Sequence, residues 1–365
     1  MEEKKNEGKT EYSEDGGKET QEVHKRRVRY SGRYPKSYKE KYKELQPEKY
    51  GDTIEKVIRK GSTPAGMHIS ICVNEILDFF QIQPGQQGLD ATLGYGGHTR
   101  KMLECLNGKG HIYGLDVDPI ESAKTKERLE KLGYGSDILT VKLLNFANID
   151  QVAEEAGKFD FVLADLGVSS MQIDNPERGF TYKADGPLDL RMNPQKGESA
   201  SDRLLAVTKE ELIGMLVENS DEPYAEEIAE RVILRNRRKK TGWTTKELHA
   251  VIEDALKFMP EKEYKEMVKK SSQRTFQALR IDVNHEFEVL YDFLEKLPGV
   301  LKPGGKAAIL TFHSGEDRLV KKSFQRLYRE GVYQDIAKDV IRPSKEECVQ
   351  NSRAKSTKMR WAIRA

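Results

Sequence analysis

The sequence predicts an α/β fold in which a doubly wound parallel sheet is interrupted by a helical insertion. Apolar segments of strand length alternate with segments of helix length over residues 88–166, which is typical of βαβ units. Only helical patterns follow over 197–272, and the alternation resumes after residue 273. We therefore expect a basic extension at 1–66, a sheet domain at 67–172 and 273–365, and a helical insertion domain at 173–272.

Four strands are predicted in the first half of the sheet domain. Apolar residues at helical spacing first indicate a helix over Val73–Phe80. Strands are then predicted over 88–92, 110–116, 138–143 and 159–166. Helices are predicted between them over 99–106 and 119–132.

The rest of the chain is predicted to be helical first and then to return to the sheet. Two capping boxes indicate helix starts in the insertion, Thr208 with Glu211 and Thr244 with Glu247. A long helix, a strand, a helix and a last strand are then predicted over 274–297, 306–312, 315–329 and Lys358–Arg364. A Pro-Gly-Gly turn precedes the first of these strands, and Ser314 with Asp317 has the spacing of a helix cap.

A glycine-rich loop follows the first predicted strand. It reads Asp-Ala-Thr-Leu-Gly-Tyr-Gly-Gly-His and ends in Gly94, Gly96, Gly97 and His98. Such loops let backbone amides and a helix N-terminus approach a ligand. Asp116 ends the second strand, where a carboxylate can bind the ribose hydroxyls of a nucleoside cofactor.

Several cofactors share this arrangement, namely NAD, FAD and S-adenosylmethionine. Thr99 stands where a GxGxxG motif has its third glycine, which disfavours a dinucleotide. The chain has no GxxxxGK[ST] motif, which argues against a Walker-type nucleotidase.

The most informative segment is 160–192, where a strand ends in a polar loop. The strand ends at Asp165, and Gly167, Ser169 and Ser170 follow it. Ligands of open α/β sheets bind beyond the carboxyl ends of the strands. A long polar loop is costly to order unless it binds something. We therefore expect Asp165 and this loop to form part of the functional site.

The net charge of +2 conceals a strong asymmetry along the chain. Residues 1–22 carry a net charge of −4, 23–60 of +8, 61–305 of −9 and 306–365 of +7. Basic ends favour a polyanionic partner such as nucleic acid, although charge runs are also common on solvated faces. Tyrosines at spacings of four lie among the basic residues over 30–42. That pattern suits either single-stranded RNA or helix packing.

Composition excludes other classes of protein. No apolar run approaches the roughly 18 residues of a membrane span, and the N-terminus lacks the apolar region of a secretion signal. Cys72, Cys105 and Cys348 form no CxxC motif, so free thiols in a cytoplasmic protein are expected. No metal-ligand cluster is visible in the sequence, and residues 1–22 have the composition of a disordered segment. A further helix is predicted near 36–60.

Four motifs in order resemble the RsmH (MraW) family. They are the loop at 90–98, the segment 165–192, Arg-Thr-Phe-Gln-Ala-Leu-Arg-Ile-Asp-Val-Asn at 274–284 and Thr-Phe-His-Ser-Gly-Glu-Asp-Arg at 311–318. The resemblance covers about 67–365 and leaves the first 66 residues outside. It implies a Rossmann-like methyltransferase sheet that uses S-adenosylmethionine. It also implies methylation of the exocyclic N4 of a cytidine in the decoding centre of 16S rRNA, with the small ribosomal subunit as partner.

The resemblance implies roles for matching residues. The expected cofactor-binding residues are Gly94, Gly96, Gly97, His98, Asp116, Phe146, Asp165 and Gln172. The insertion would help to form an RNA cleft. Three positions depart from the family pattern: a His-x-Pro motif reads His68-Ile-Ser70, Pro-Ala-Thr-Arg reads Ser271-Ser-Gln-Arg274, and His-Ser-Leu-Glu-Asp reads His313-Ser-Gly-Glu-Asp317. These changes put the RNA target, rather than methyl transfer, in question.

Transfer to cytosine N4 requires alignment and a hydrogen-bond acceptor rather than a covalent nucleophile. The hypothesised catalytic residues are Asp165, Ser169 and His313, with Ser170 beside the base. Predicted RNA contacts are Arg178, Arg191, Arg274 and Arg280. Each arginine is equally compatible with an internal ion pair. The alternatives are methylation of another RNA site or of a small molecule, and an RNA-binding protein without catalysis. A homodimer also stays open.

Overall fold

The structure is a computed structural model that describes residues 70–238 and 241–365. The predictions of disorder at 1–22 and of a helix near 36–60 lie outside these residues. In the described part, the three cysteines are free. No described helix has the length and apolar character needed to cross a membrane.

A seven-stranded sheet forms the centre of the molecule, in the order β3-β2-β1-β4-β5-β7-β6. The strands are β1 Gln87–Asp90, β2 His111–Asp116, β3 Leu139–Leu143, β4 Phe159–Asp165, β5 Leu301–Thr311, β6 Tyr333–Ile336 and β7 Lys358–Arg364. β1 to β5 are parallel to their neighbours, whereas β7 runs antiparallel to both β5 and β6. The predicted α/β class with an open parallel sheet is thus confirmed.

Helices cover both faces of the sheet and build the insertion. Those of the first half are α1 Val73–Phe80, α2 Gly97–Leu106, α3 Pro119–Lys131, α4 Ile149–Ala156 and α5 Ser170–Asp174. Those of the insertion are α6 Ala200–Ala206, α7 Lys209–Ser220, α8 Ala225–Arg238, α9 Thr245–Ala255 and α10 Glu261–Asn284. The last three are α11 Glu286–Val300, α12 Ser314–Arg329 and α13 Lys345–Gln350.

Two apolar cores lie on opposite faces of the sheet. One packs α4, α11 and α12 against the strands around Phe159 and Phe293. The other packs α1, α2 and α3 around Phe161 and Leu103. Burial on both faces explains why the central strands read as continuous apolar runs. The carboxyl ends of the strands are left open between these layers.

The insertion has an apolar core of its own. Its buried residues extend from Leu188 to Leu279 and surround Trp243, which is 2% exposed. Both predicted capping boxes are present, at Thr208 and at Thr244. This core continues along α10 beyond residue 272, because the same helix also packs on the sheet domain. The domain limits at 173 and 272 stay a prediction.

The single helix predicted over 274–297 is wrong. His285 has a left-handed backbone with φ of 51°, which ends α10 at Asn284 and starts α11 at Glu286. Neither glycine nor proline marks this break, so the sequence contained no ordinary signal for it. The break turns Asn284 toward the loop after α5, where its side chain contacts Leu190 and Met192.

Three further expectations differ from the structure. β5 begins at Leu301 rather than 306, since its register with β4 shifts around the Pro-Gly-Gly turn. The structure also contains α4 and β6, which no pattern had indicated. The expected cap of α12 is absent: His313 occupies the N-cap position without a side-chain hydrogen bond. Asp317 instead accepts hydrogen bonds from Arg360 and Lys358 on β7.

Candidate functional site

A cavity of about 400 Å³, here called the strand-end cavity, opens at the carboxyl ends of β1, β2 and β4. Its lining includes all eight predicted cofactor-binding residues: Gly94, Gly96, Gly97, His98, Asp116, Phe146, Asp165 and Gln172. It also includes Ser169, Ser170 and Arg280. The structure therefore brings together residues spread over nearly 190 positions, although their roles stay predictions.

The floor of the cavity is a glycine loop whose backbone has no room for side chains. Gly96 has φ of 79°, and a Cβ there would lie 2.8 Å from Thr125 Cγ2. A Cβ on Gly97 would lie 2.0 Å from Ser70 Oγ. This close packing leaves backbone N–H groups at the start of α2 facing the cavity, where they favour a polar or anionic ligand group.

Thr99 has a structural function where a dinucleotide motif has glycine. Its hydroxyl donates a hydrogen bond of 2.6 Å to the buried carboxylate of Asp90, which also accepts from Thr92 N. Asp90 thus holds the loop from below, and burial raises the pKa of its carboxyl. This arrangement accounts for the departure from GxGxxG within the described loop.

Asp116 lies at the end of β2 and faces the cavity. Its Oδ2 accepts from Gly94 N at 2.9 Å, and its Oδ1 accepts from Asp118 N at 2.8 Å. Burial, with a smaller contribution from Asp118, raises the pKa of Asp116 to about 6. The carboxylate is therefore ionised at neutral pH and can accept hydrogen bonds from hydroxyl groups.

Asp165 ends β4 and approaches His98 across the cavity. Its Oδ2 is 3.6 Å from His98 Nδ1, while His98 Nε2 contacts the carbonyl of Ile71 at 2.9 Å. Oδ1 of Asp165 is buried and has no hydrogen-bond partner among the described residues. Burial raises the pKa of Asp165 to about 6, an effect that His98 opposes and that Asp90 and Glu316 reinforce. The free oxygen is suited to accept a hydrogen bond from a ligand.

Ser169 and Gln172 form a capping box at the start of α5. The Ser169 hydroxyl accepts from Gln172 N, and the Gln172 carbonyl oxygen accepts from Ser169 N. Gln172 Nε2 also donates to Asp118 Oδ2 at 3.0 Å. Local backbone contacts thus account for much of what these two polar side chains do. Ser170 is 8% exposed and lines the cavity.

Arg178 is a buried structural residue in this arrangement. Its Nη1 donates to Asp118 Oδ2 at 2.6 Å, and its Nη2 donates to the carbonyls of Arg191 and Met192. Only 8% of the Arg178 side chain and 1% of the Asp118 side chain are exposed. These contacts fasten the polar loop to the end of β2.

The other three predicted RNA-binding arginines differ in their partners. Arg191 pairs with Asp189, and Arg280 forms two hydrogen bonds with Glu286. Both pairings had been open alternatives in the sequence. Arg274 has no ion pair or hydrogen bond within the described chain and lines a neighbouring cavity.

His313 lies on that neighbouring cavity rather than on the strand-end cavity. Its Nε2 is 3.2 Å from Glu316 Oε1, and the ligand atoms of Glu286, His313 and Glu316 lie within 4.8 Å of one another. Glu286 is bound by Arg280, and Glu316 Oε2 accepts from Phe312 N. Burial opposes ionisation of Glu316, but the contacts with His313, Arg280 and the Phe312 N–H outweigh it, and its pKa is lowered. These contacts describe an ion-pair network.

Sequence reasoning missed three residues that organise the site. Asp118 caps α3 and binds both Gln172 and Arg178. Its position before Pro119 is a recognisable cap signal. Asn284 accepts from Met192 N at 2.7 Å. Glu316 lines the strand-end cavity and is 3% exposed. Neither Asn284 nor Glu316 had a local signal, because both act on residues that are distant in sequence.

Comparisons with known proteins point to one family. The family model described as "MraW methylase family" matches residues 65–365. "Ribosomal RNA small subunit methyltransferase H 1" of Lachnoclostridium phytofermentans is 69% identical over 94% of this chain and 94% of its own length. The protein of the same name from Agathobacter rectalis is 67% identical over 94% of this chain and 98% of its own length. A solved "rRNA Methylase from Streptococcus thermophilus" has a TM-score of 0.37 and 13% identity, over 81% of this chain and 98% of that chain.

These relatives correct one expectation about the extension. Residues 67–365 number 299, so an alignment of 343 residues of this chain must include part of the first 66. Other relatives, such as "Ribosomal RNA small subunit methyltransferase H" of Carboxydothermus hydrogenoformans, align over only 81% of this chain. The likeness to some relatives therefore extends into residues 1–66.

Proposed function

The chain belongs to the MraW methylase family, and on that premise we propose that it methylates small-subunit ribosomal RNA with S-adenosylmethionine. The finer proposal is methylation of the exocyclic N4 of a cytidine in the decoding centre of 16S rRNA. The observation that carries it is the strand-end cavity, where a glycine loop and two aspartates with raised pKa meet at the ends of parallel strands.

The cavity fits S-adenosylmethionine by its shape and its donors. The glycine loop leaves no space for a Cβ at Gly97, so only backbone contacts a ligand there. Asp116 would accept hydrogen bonds from the ribose hydroxyls. Phe146, whose ring packs edge-on against Phe293 at 5.2 Å, would contact the adenine. When bound, the cofactor supplies an electrophilic methyl group on a positively charged sulfur.

Asp165 is the residue proposed to act on the target amine. The N4 lone pair of cytosine is delocalised, so the amine develops positive charge as it is methylated. The ionised carboxylate stabilises that charge by accepting a hydrogen bond from N4 through its free Oδ1. His98, 3.6 Å from Oδ2, keeps the carboxylate in place. The backbone of Leu166 to Ser169 supplies further acceptors beside it.

The helical insertion is proposed to form the other wall of an RNA cleft. The loop at 176–192 connects its core to the strand-end cavity, since Arg178 binds Asp118 on one side and Leu188 packs in the helical core on the other. RNA bound across this loop would be held at a fixed distance from Asp165. Such positioning is the main requirement when the methyl group is already reactive.

The proposal is tested with labelled S-adenosylmethionine and small ribosomal subunits from cells that lack the endogenous activity. Nuclease digestion and mass spectrometry then locate the label. Label on N4 of a decoding-centre cytidine is the expected result. Label elsewhere in the RNA would keep the methyltransferase and replace the target, and label on a small molecule would reject RNA as substrate. Cofactor binding without any labelled product would leave an RNA-binding protein on this fold.

A further inference from the structure

A second cavity of about 370 Å³, here called the outer cavity, lies beside the strand-end cavity. The two are separated by α10, the start of α11 and the start of α12. On each of these elements, nearby residues line different cavities. The pairs, with the outer-cavity residue first, are Gln277 and Arg280, Phe287 and Glu286, and His313 and Glu316. A ligand in the outer cavity is thus one structural element away from the reacting centre.

Two arginines line the outer cavity without a hydrogen bond or ion pair to any described residue, Arg274 and Arg318. Arg318 is exposed and Arg274 is half-buried. The buried carboxylate of Glu222 attracts Arg274 electrostatically, but its hydrogen bonds go to Ser271 and Tyr224 N. Guanidinium groups that are not engaged within the protein are available to bind phosphate.

An aromatic ring stands beside these arginines. Phe287 is half-buried and lines the outer cavity, with its ring centroid 5.9 Å from that of His313. Gly315 leaves the space that the ring needs, because a Cβ at this position would lie 2.6 Å from Phe287 Cζ. Position 315 therefore determines whether Phe287 can present its ring to the cavity.

We propose that the outer cavity binds the nucleotide next to the methylated residue on the RNA strand. Its phosphate would bind Arg274 and Arg318, and its base would stack on Phe287. This inference rests on the proposed function and names a substrate subsite for it. Aromatic rings with nearby guanidinium groups are the usual means of holding single-stranded RNA. A bound neighbour would fix the target base against Asp165 through the short strand between them.

Two exposed carboxylates at the same cavity, Glu218 and Asp221, define the competing occupant. A basic peptide of a ribosomal protein would require them, whereas RNA would be repelled by them. The adjacent arginines and the proximity to the reacting centre favour RNA. Substitution of the two carboxylates separates these occupants.

The first experiment removes both guanidinium groups. The double variant Arg274→Ala/Arg318→Ala is expected to raise KM for small subunits at least tenfold, with affinity for S-adenosylmethionine within twofold of wild type. The salt dependence of RNA binding should also flatten by about 0.7 in log–log slope for each phosphate that an arginine no longer neutralises. Arg329→Ala, at the other end of α12, is the matched control and should leave KM and slope unchanged. An unchanged KM in the double variant would overturn the subsite.

The second experiment tests the ring. Phe287→Ala should raise KM by roughly five- to a hundredfold, the range expected when one base can no longer stack. Gly315→Ala should have a similar effect, because its methyl group displaces the same ring. Phe287→Tyr keeps the stacking surface and should restore most of the affinity. Equal KM for the alanine and tyrosine variants would exclude stacking.

The third experiment distinguishes the occupants and the two levels of the proposal. Glu218→Gln/Asp221→Asn should leave KM unchanged or lower it, and a raised KM would favour a basic peptide and overturn the RNA subsite. Fluorescence anisotropy with a labelled 12-nucleotide single-stranded RNA needs no turnover. If wild type methylates no RNA but binds the oligonucleotide, and the double arginine variant does not bind it, the proposed reaction fails and the subsite stands.

Discussion

Asp165 has a buried carboxylate oxygen with no hydrogen-bond partner in the described chain and a pKa raised to about 6 by burial. Its ionised form, present above pH 6, accepts the hydrogen bond from the target amine. We expect kcat at saturating cofactor to fall as the pH drops below about 6. Asp165→Asn should lower kcat by about 100-fold or more. Methylation rates between pH 5 and 8 measure both effects.

Asp116 provides the control for that pH profile, because burial raises its pKa to about 6 as well. Its expected role is cofactor binding, so Asp116→Asn should raise the Kd for S-adenosylmethionine and leave kcat at saturation nearly unchanged. The charged groups that act on Asp165 are His98, Asp90 and Glu316. A pH-independent kcat, or a normal rate in Asp165→Asn, would remove Asp165 from the reaction.

Arg178 allows a structural role to be separated from an RNA contact. Arg178→Met leaves the Asp118 carboxylate buried and unpaired, so the free energy of unfolding should fall by about 3–5 kcal/mol. The double variant Arg178→Met/Asp118→Asn removes both charges and should recover part of that stability. Thermal or denaturant unfolding measures both. A stable Arg178→Met protein with weakened RNA binding would instead support the phosphate contact.

At the scale of elements, the break between α10 and α11 at His285 gives a prediction whose sign depends on the fold. A left-handed backbone costs a non-glycine residue about 1–2 kcal/mol. His285→Gly should therefore stabilise the protein by up to about 1 kcal/mol. In a continuous helix, the same change would destabilise by about 1 kcal/mol relative to alanine. Unfolding of the glycine and alanine variants side by side decides between the two.

The break also explains how α10 serves two purposes. Along its length, α10 supplies Phe276 and Leu279 to the helical core, Arg274 to the outer cavity and Arg280 to the strand-end cavity. Asn284 at its end fastens the loop that carries Met192. An uninterrupted helix would carry the following residues away from this loop. The turn at His285 instead starts α11 beside the cavity.

At the scale of the whole molecule, the charge is divided between the ends and the centre of the chain. Residues 23–60 carry a net charge of +8. If they bind RNA, deletion of 1–66 should weaken binding to small subunits and flatten its salt dependence. Binding assays at a series of salt concentrations on both proteins measure this. An identical salt slope in the truncated protein would assign these residues another role.

The sequence by itself determined the α/β class, the order of most strands and the cofactor residues brought together in the strand-end cavity. The reason is that apolar periodicity, glycine loops and carboxylates at strand ends are local signals of fixed spacing. Both capping boxes in the insertion were readable for the same reason. The likeness of four ordered motifs to one family agreed with the family match.

Only the tertiary structure decided which polar residues are free. Arg178 and Arg274 are both arginines in polar segments, yet one is buried against Asp118 and the other faces an open cavity. Such differences depend on partners 60 or more positions away, as for Arg178 and Asp118, or Met192 and Asn284. The break at His285 belongs to the same class, because long-range packing there outweighs the local preference for a continuous helix.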